Sequence, residues 1–295
     1  MKNKLPIDFD ADVYLRLNPD VADAKVDPST HFIEFGRAEG RKYHVDASNR
    51  MGLAMRALQA NSVLEIGPFC NPVLIGEHVS YFDILDHNGL ISRAKATGYP
   101  IKHVPNINFV SPVGDLSIIN QEYDAVLSSH CIEHQPDLIN HLQAVSRLLR
   151  DDGRYFLIIP DKRYCFDAGI DVSNLAEVVA AHVEKRKVHS LTSVIEHLAL
   201  TTHNEPARHW IGDSFDEDFE TKLLNRVKQA VALWEGSDGA YIDVHAWQFT
   251  PSSFQEIVRH LGALGYTDLV VEEAHEPTGT NEFTAVLRKP SKGLG

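Results

Sequence analysis

Nine of the sixteen histidines in this chain of 295 residues fall between His130 and His245, and histidine is the side chain best placed to accept a proton near neutral pH. Within that stretch His130, Glu133 and His134 spell H-x-x-E-H, His203 and His209 lie in HNEPARHW, and His245 lies in DVHAWQFTP. Asp161, Lys162, Arg163 and Tyr164 follow Pro160 in the same stretch. They are suited to contact a polar acceptor, and Arg163 would suit a carboxylate or phosphate on it. A second set of residues comes earlier, in SVLEIGPFCNP from Ser62 to Pro72. Here a short apolar run ends in Glu65, Ile66 and Gly67, and Gly67 lets the backbone turn tightly and lets a ligand lie against the main chain. Asp83 closes the next apolar run about twenty residues later, where a carboxylate can accept from both hydroxyls of a ribose. Asp86 is close enough to compete with it.

The elements that must position these residues alternate. Strands are expected at Ser62 to Gly67, His78 to Ile84, Ile101 to Val110, Tyr123 to Ser129 and Arg154 to Pro160. A helix from Ser48 to Ala60 precedes the first, and another follows Pro136 with Leu138, Leu142, Val145 and Leu149 at helical spacing. Strands that alternate with helices and end in small or polar residues describe a doubly wound α/β sheet. Its ligand crevice lies outside the carboxyl ends of the strands. Some eighty residues, 161–241, then carry helical patterns at Leu175 to Val183, Leu191 to Leu198 and Phe219 to Trp234. An insertion there is sited to roof the crevice. A helix from Thr250 to Leu264 and two closing strands, Asp268 to Ala274 and Glu282 to Leu287, complete the chain.

Composition narrows the partners. The balance of 28 basic against 41 acidic residues gives a net charge of −13, which repels phosphate backbones and anionic membrane surfaces. No nucleic-acid partner is expected. Cys70, Cys131 and Cys165 are odd in number and form no CxxC pair, so neither a disulfide frame nor a zinc knuckle is indicated. No apolar run approaches the ~18 residues of a membrane span, and a cytoplasmic location is the expectation.

Four ordered motifs carry a resemblance. LEIGPFCNP, SHCIEH, IPDKRYCFD and DVHAWQFTP resemble those of class I S-adenosylmethionine-dependent methyltransferases, in particular a bacterial subgroup with LEIGP, SHVIEH, IPDKRYTFD and DVHCWVFTP. The resemblance covers Val63 to Lys289. It implies a Rossmann-like, mostly parallel seven-stranded sheet, with the last hairpin antiparallel at the edge and a helical insertion after the fifth strand. S-adenosylmethionine is the implied cofactor, with Glu65, Gly67 and Pro68 at its methionine end and Asp83 on its ribose. Asp115 and Leu116 would flank the adenine, and Ser129 and His130 would close the site after the fourth strand. Phe69 and Asn71 stand where the usual loop has later glycines. His245 and His134 are the candidate catalytic bases, and Asp161, Arg163, Tyr164, His203 and His209 the candidate acceptor contacts.

Residues Phe9 to Arg41 resemble a short module that accompanies bacterial polysaccharide-assembly enzymes, glycosyltransferases especially. The expected division is therefore a small helical N-terminal module, 1–47, and a methyltransferase domain, 48–290. The acceptor implied is a small molecule or a glycan, O-methylated on a sugar or glycan-linked group, with polysaccharide-assembly enzymes as associates. A catalytically silent binding protein of such an assembly is the alternative, motivated by the glycine-poor loop. A dinucleotide oxidoreductase ranks below both because G-x-G-x-x-G is missing. A metal is not expected, since Pro136 places H-x-x-E-H ahead of the helix that would present it.

Overall fold

The structure is a computed structural model that describes residues 5–7, 9–101 and 103–291. The chain forms two compact units. One runs to Leu127 and adds Leu148–Phe156 and the stretch from Lys289; the other comprises Ser128–Arg147 and Leu157–Arg288.

The first unit begins with α1 (Ala11–Leu17), α2 (Pro19–Asp23) and α3 (Pro28–His31). Asp10 and Asp27 cap α1 and α3 by accepting from the Val13 and Thr30 amides, each such cap contributing about 1 kcal/mol. Tyr14, Val21 and Phe32 form their core, with Phe9 and Tyr43 packed on it. Arg41 pairs with Asp20 and Glu39. α4 (Arg50–Ala57) then leads into β1 (Val63–Ile66), all four residues of which are buried.

β1 runs parallel to β2 (Val79–Asp83), with Glu65 opposite Tyr81 and Ile66 opposite Phe82. α5 (His87–Thr97) follows, and β2 then pairs in parallel with β3 (Phe109–Val110). The expected strict alternation of strand and helix fails between β1 and β2, where no helix forms. Two prolines, Pro68 and Pro72, lie in that connection and hinder helical backbone. β3 is also shorter than expected. Asn108 accepts from the Tyr81 amide through Oδ1 at 2.8 Å, so its side chain stands in for a ladder bond.

β4 (Tyr123–Ser129) and β5 (Leu149–Pro160) pass from one unit into the other, joined by α6 (Leu138–Leu148). The second unit continues with α7 (Leu175–Val183), α8 (Leu191–Ile195), α9 (Pro206–Trp210), α10 (Phe219–Gly236) and α11 (Pro251–Ala263), then β6 (Val270–His275) and β7 (Glu282–Arg288). α7 and α11 carry full capping boxes from Asn174 and Thr250. Among the described residues seven strands form one sheet in the order β3-β2-β1-β4-β5-β7-β6. β6 and β7 are antiparallel, and the sheet is otherwise mostly parallel, as expected for its class. Among the described residues no helix is long and apolar enough to cross a membrane.

Candidate active site

In the first unit, Glu65 ends up as a brace. It is 1% exposed, and its two oxygens accept from the Val73 and Leu74 amides at 2.7 and 2.9 Å. One carboxylate thus ties down the helix-free connection between β1 and β2. Burial pushes its pKa up to about 7 against the pull of those two amides. Gly67 turns the chain at φ 70°, while its amide donates to the Phe82 carbonyl at 2.9 Å. Pro68 is buried behind it. Phe69 also takes a left-handed backbone, φ 48°, and its ring packs against Cys70, Leu90 and Ala94 on the α5 side. The aromatic ring thus replaces a glycine's freedom with a packed anchor.

Asp83 stands at the carboxyl end of β2, 7% exposed. Burial raises its pKa, opposed by the Leu85, Ile84 and Phe69 amides. Asp86 does not compete, because its carboxylate caps α5 by accepting from Gly89 at 2.7 Å. A carboxylate at a strand's carboxyl end, with lone pairs beyond those its loop amides use, is matched to a vicinal diol, which offers two donors. In residue type and place, Asp83 therefore fits the ribose of S-adenosylmethionine. Asp115 accepts from the amide and hydroxyl of Ser117, capping the single turn Leu116–Ile118. Leu116 is buried and Asp115 exposed.

In the second unit three of the four motifs converge. The turn Ile132–His134 follows β4, and its Glu133 carbonyl accepts from the Ala246 and Trp247 amides. Trp247 donates its indole N–H to the Gln135 carbonyl at 2.7 Å. These bonds clamp the DVHAW segment against SHCIEH. Asp167, from the third motif, lies 2.6 Å from His245 Nδ1, and His245 is 4% exposed. Glu133 is 0% exposed, and neither of its carboxylate oxygens has a hydrogen-bond partner. Its Oε1 lies 3.9 Å from both His134 Nε2 and His245 Nε2 and 3.8 Å from His130 Nδ1. His134 Nδ1 is 3.1 Å from Asp243 Oδ1, off the line of a straight hydrogen bond. The rings of His134 and His245 meet edge to face, 4.6 Å apart.

Ser129 is the half-buried last residue of β4. His130 follows with φ 49° and bonds Glu282 through Nε2 at 2.8 Å. The other expected contacts are more engaged than their sequence suggests. Asp161, fully buried, holds the Arg163 guanidinium at 2.9 and 2.6 Å. Arg163 also binds Glu276 at 2.7 Å, so this cation is already paired with two acids. His209 is bonded to the His203 carbonyl and Ser214, and His203 to the Asp213 carbonyl. Both rings thereby brace their own turn. Tyr164 stacks flat on Trp210, centroids 4.0 Å apart, and Trp210 donates to the Thr280 carbonyl.

Glu133, Asp167, Asp243 and Trp210 are absent from the candidates read from sequence. The first three lie inside the SHCIEH, IPDKRYCFD and DVHAWQFTP motifs, and their acidity among histidines is the available signal. Trp210 gave none, since its partner Tyr164 is distant in the chain.

Residues 75–157 match the family described as a methyltransferase domain. No curated protein sequence matches the chain. Among solved structures, the chain is similar to DhpI in complex with SAH, at 12% identity and TM-score 0.41, covering 95% of this chain and 99% of that one. An S-adenosylmethionine-dependent methyltransferase from Clostridium acetobutylicum ATCC 824 gives 10% identity and TM-score 0.41, covering 89% and 98%. The mitomycin 7-O-methyltransferase MmcR gives 11% identity and TM-score 0.37, and this chain covers 59% of its length with 93% of its own. These likenesses are faint. The methyltransferase domain, spanning β2 to most of β5, supports the chain as an S-adenosylmethionine-dependent methyltransferase.

Proposed function

We propose that the chain methylates an oxygen of a sugar or glycan-linked group, with residues 48–290 as the methyltransferase domain and 1–47 as a small module that associates with polysaccharide-assembly enzymes. S-adenosylmethionine supplies a methyl group on a sulfonium, so the protein's work is alignment and proton handling. Asp83 and the Gly67 turn hold the nucleoside, with Glu65 and Pro68 shaping the loop around the methionine end. Asp115, Leu116, Ser129 and His130 border the cofactor.

A hydroxyl acceptor must give up a proton, and His134 and His245 form the proton-handling pair. The observation that carries this is the convergence of Asp167, His245, His134 and Glu133 from three separate motifs. A buried acid at 2.6 Å from His245 Nδ1 fixes that ring's tautomer and leaves Nε2 as the acceptor. The sugar reading is supported by the Tyr164–Trp210 stack, with Trp210 partly exposed. A partly exposed indole whose stacking partner also carries the Arg163 guanidinium, 5.1 Å from the Tyr164 ring centroid, matches a sugar ring with an apolar face and a hydroxyl rim.

The test is incubation with methyl-labelled cofactor and glycan fractions of a bacterial cell envelope. Label entering a sugar ether is expected; label in protein, nucleic acid or an amine would end the reading. Calorimetry with S-adenosylmethionine separates an enzyme from a silent scaffold, which need not bind it.

A further inference from the structure

We infer that Glu133, His134 and His245 bind one divalent transition cation of the zinc class. The three ligand atoms lie within 4.8 Å of one another, and Glu133, fully buried, offers two oxygens that no donor satisfies. A buried carboxylate left this way is costly unless paired or bound to a metal. Around tetrahedral zinc, ligand atoms sit about 3.4 Å apart, so the 3.9 Å separations from Glu133 Oε1 to each imidazole Nε2 close by a few tenths of an ångström on binding.

The outer shell points the same way. His245 turns Nδ1 to Asp167 and His134 turns Nδ1 toward Asp243. Each Nε2 is thereby left with its lone pair facing Glu133. Carboxylates behind ligating histidines are the usual means of orienting such rings. His130 repeats the pattern, with Nε2 on Glu282 and Nδ1 3.8 Å from Glu133 Oε1. An alternative group, Asp167, His197 and His245, is disfavoured by chemistry. His197 Nδ1 accepts the His245 amide at 3.1 Å, which places the proton of the neutral ring on Nε2 and leaves no free lone pair.

Two imidazoles and one carboxylate suit zinc, cobalt, nickel or iron rather than calcium or magnesium. Three protein ligands leave a coordination position open, and a hydroxyl bound there is acidified. This deepens the proposed function, and only the ion's role rests on that reading. With both Nε2 lone pairs on the ion, His134 and His245 would act on the proton by holding the metal that acidifies the hydroxyl, in place of accepting it themselves: the acceptor's proton would go to water, its oxygen pair would bond the methyl carbon, and the carbon–sulfur pair would return to sulfur.

The test titrates full-length protein, stripped with a chelator, with Zn²⁺ and separately with Co²⁺. Elemental analysis should find one ion per chain, and cobalt should develop visible ligand-field bands. Glu133→Gln and His245→Ala should each weaken binding by at least tenfold. Asp243→Asn, at an outer partner whose side chain is half-exposed and which stays isosteric, should weaken it about tenfold with the fold retained. Absence of stoichiometric ion in the wild type, or wild-type affinity in all three variants, overturns the site. Methyl transfer measured in parallel separates the two readings. One bound ion with no transfer defeats the proposed function and leaves the site standing, whereas transfer undiminished in metal-free protein defeats the ion's role.

Discussion

Two buried glutamates, each just beyond or at the end of a sheet strand, have opposite surroundings. Glu65 meets two backbone amides at 2.7 and 2.9 Å. Glu133 meets no donor at all and faces three imidazole nitrogens at 3.8–3.9 Å. The contrast separates architecture from chemistry: a satisfied buried acid holds a loop, while an unsatisfied one marks a place that something else must complete.

The strongest way to sharpen this contrast is to remove His245. His245→Ala should lower methyl transfer by ~10²- to 10⁴-fold with cofactor affinity unchanged, as read by labelled-methyl kinetics beside calorimetry; a matching fall in cofactor affinity would place His245 in the wrong half of the comparison. Next, Glu65→Ala should destabilise the protein by about 2–4 kcal/mol, because a buried and a half-buried amide lose their acceptor. Glu133→Gln in chelator should leave stability unchanged or raise it. Urea unfolding of both variants checks the pair, and equal losses would erase the distinction.

Asp83→Asn should then weaken S-adenosylmethionine binding by roughly ten- to a hundredfold while leaving stability nearly untouched. Unchanged affinity would remove Asp83 from the ribose. The pH effect is graded, spread over several pH units. Glu65, raised from 4.5 to about 7, contributes stability below its unfolded value that is lost as pH rises through about 7, by at most about 3 kcal/mol. His141, fully buried and lowered by that burial to about 4, does the reverse. Its unfolded form binds the extra proton, so stability is lost as pH falls from about 6.5 toward 4. Glu65→Gln should flatten the first slope and leave the second, measured as urea midpoints across pH 4 to 8.

Much of this was legible in the sequence where periodicity and punctuation agreed. β4 matches its expected bounds at Tyr123–Ser129, and α7 matches at Leu175–Val183. The first has an uninterrupted buried run and the second a capping Asn174, so local and global preferences coincide. β3 was overestimated because Asn108 imitates strand pairing with its side chain, which residue type alone does not announce. The histidine cluster was half visible. His134 and His245 stand out by type, but whether an acid accompanies a ring depends on how distant segments close. The backbone bonds from Ala246 and Trp247 to Glu133 arise from the tertiary fold. His203 and His209 stand out by type in the same way, yet their hydrogen bonds turn inward to a local turn.

The helix-free connection after β1 has a practical corollary for watching the protein at work. A segment held by one carboxylate, by the Tyr81 hydroxyl on the Leu74 carbonyl and by the packing of Phe69 and Cys70 can open locally without unravelling the sheet beside it. The amide hydrogens of Val73 and Leu74, which meet that carboxylate, are therefore natural sites at which to follow isotope exchange. Slower exchange there on adding nucleoside would register ligand occupancy before any product forms.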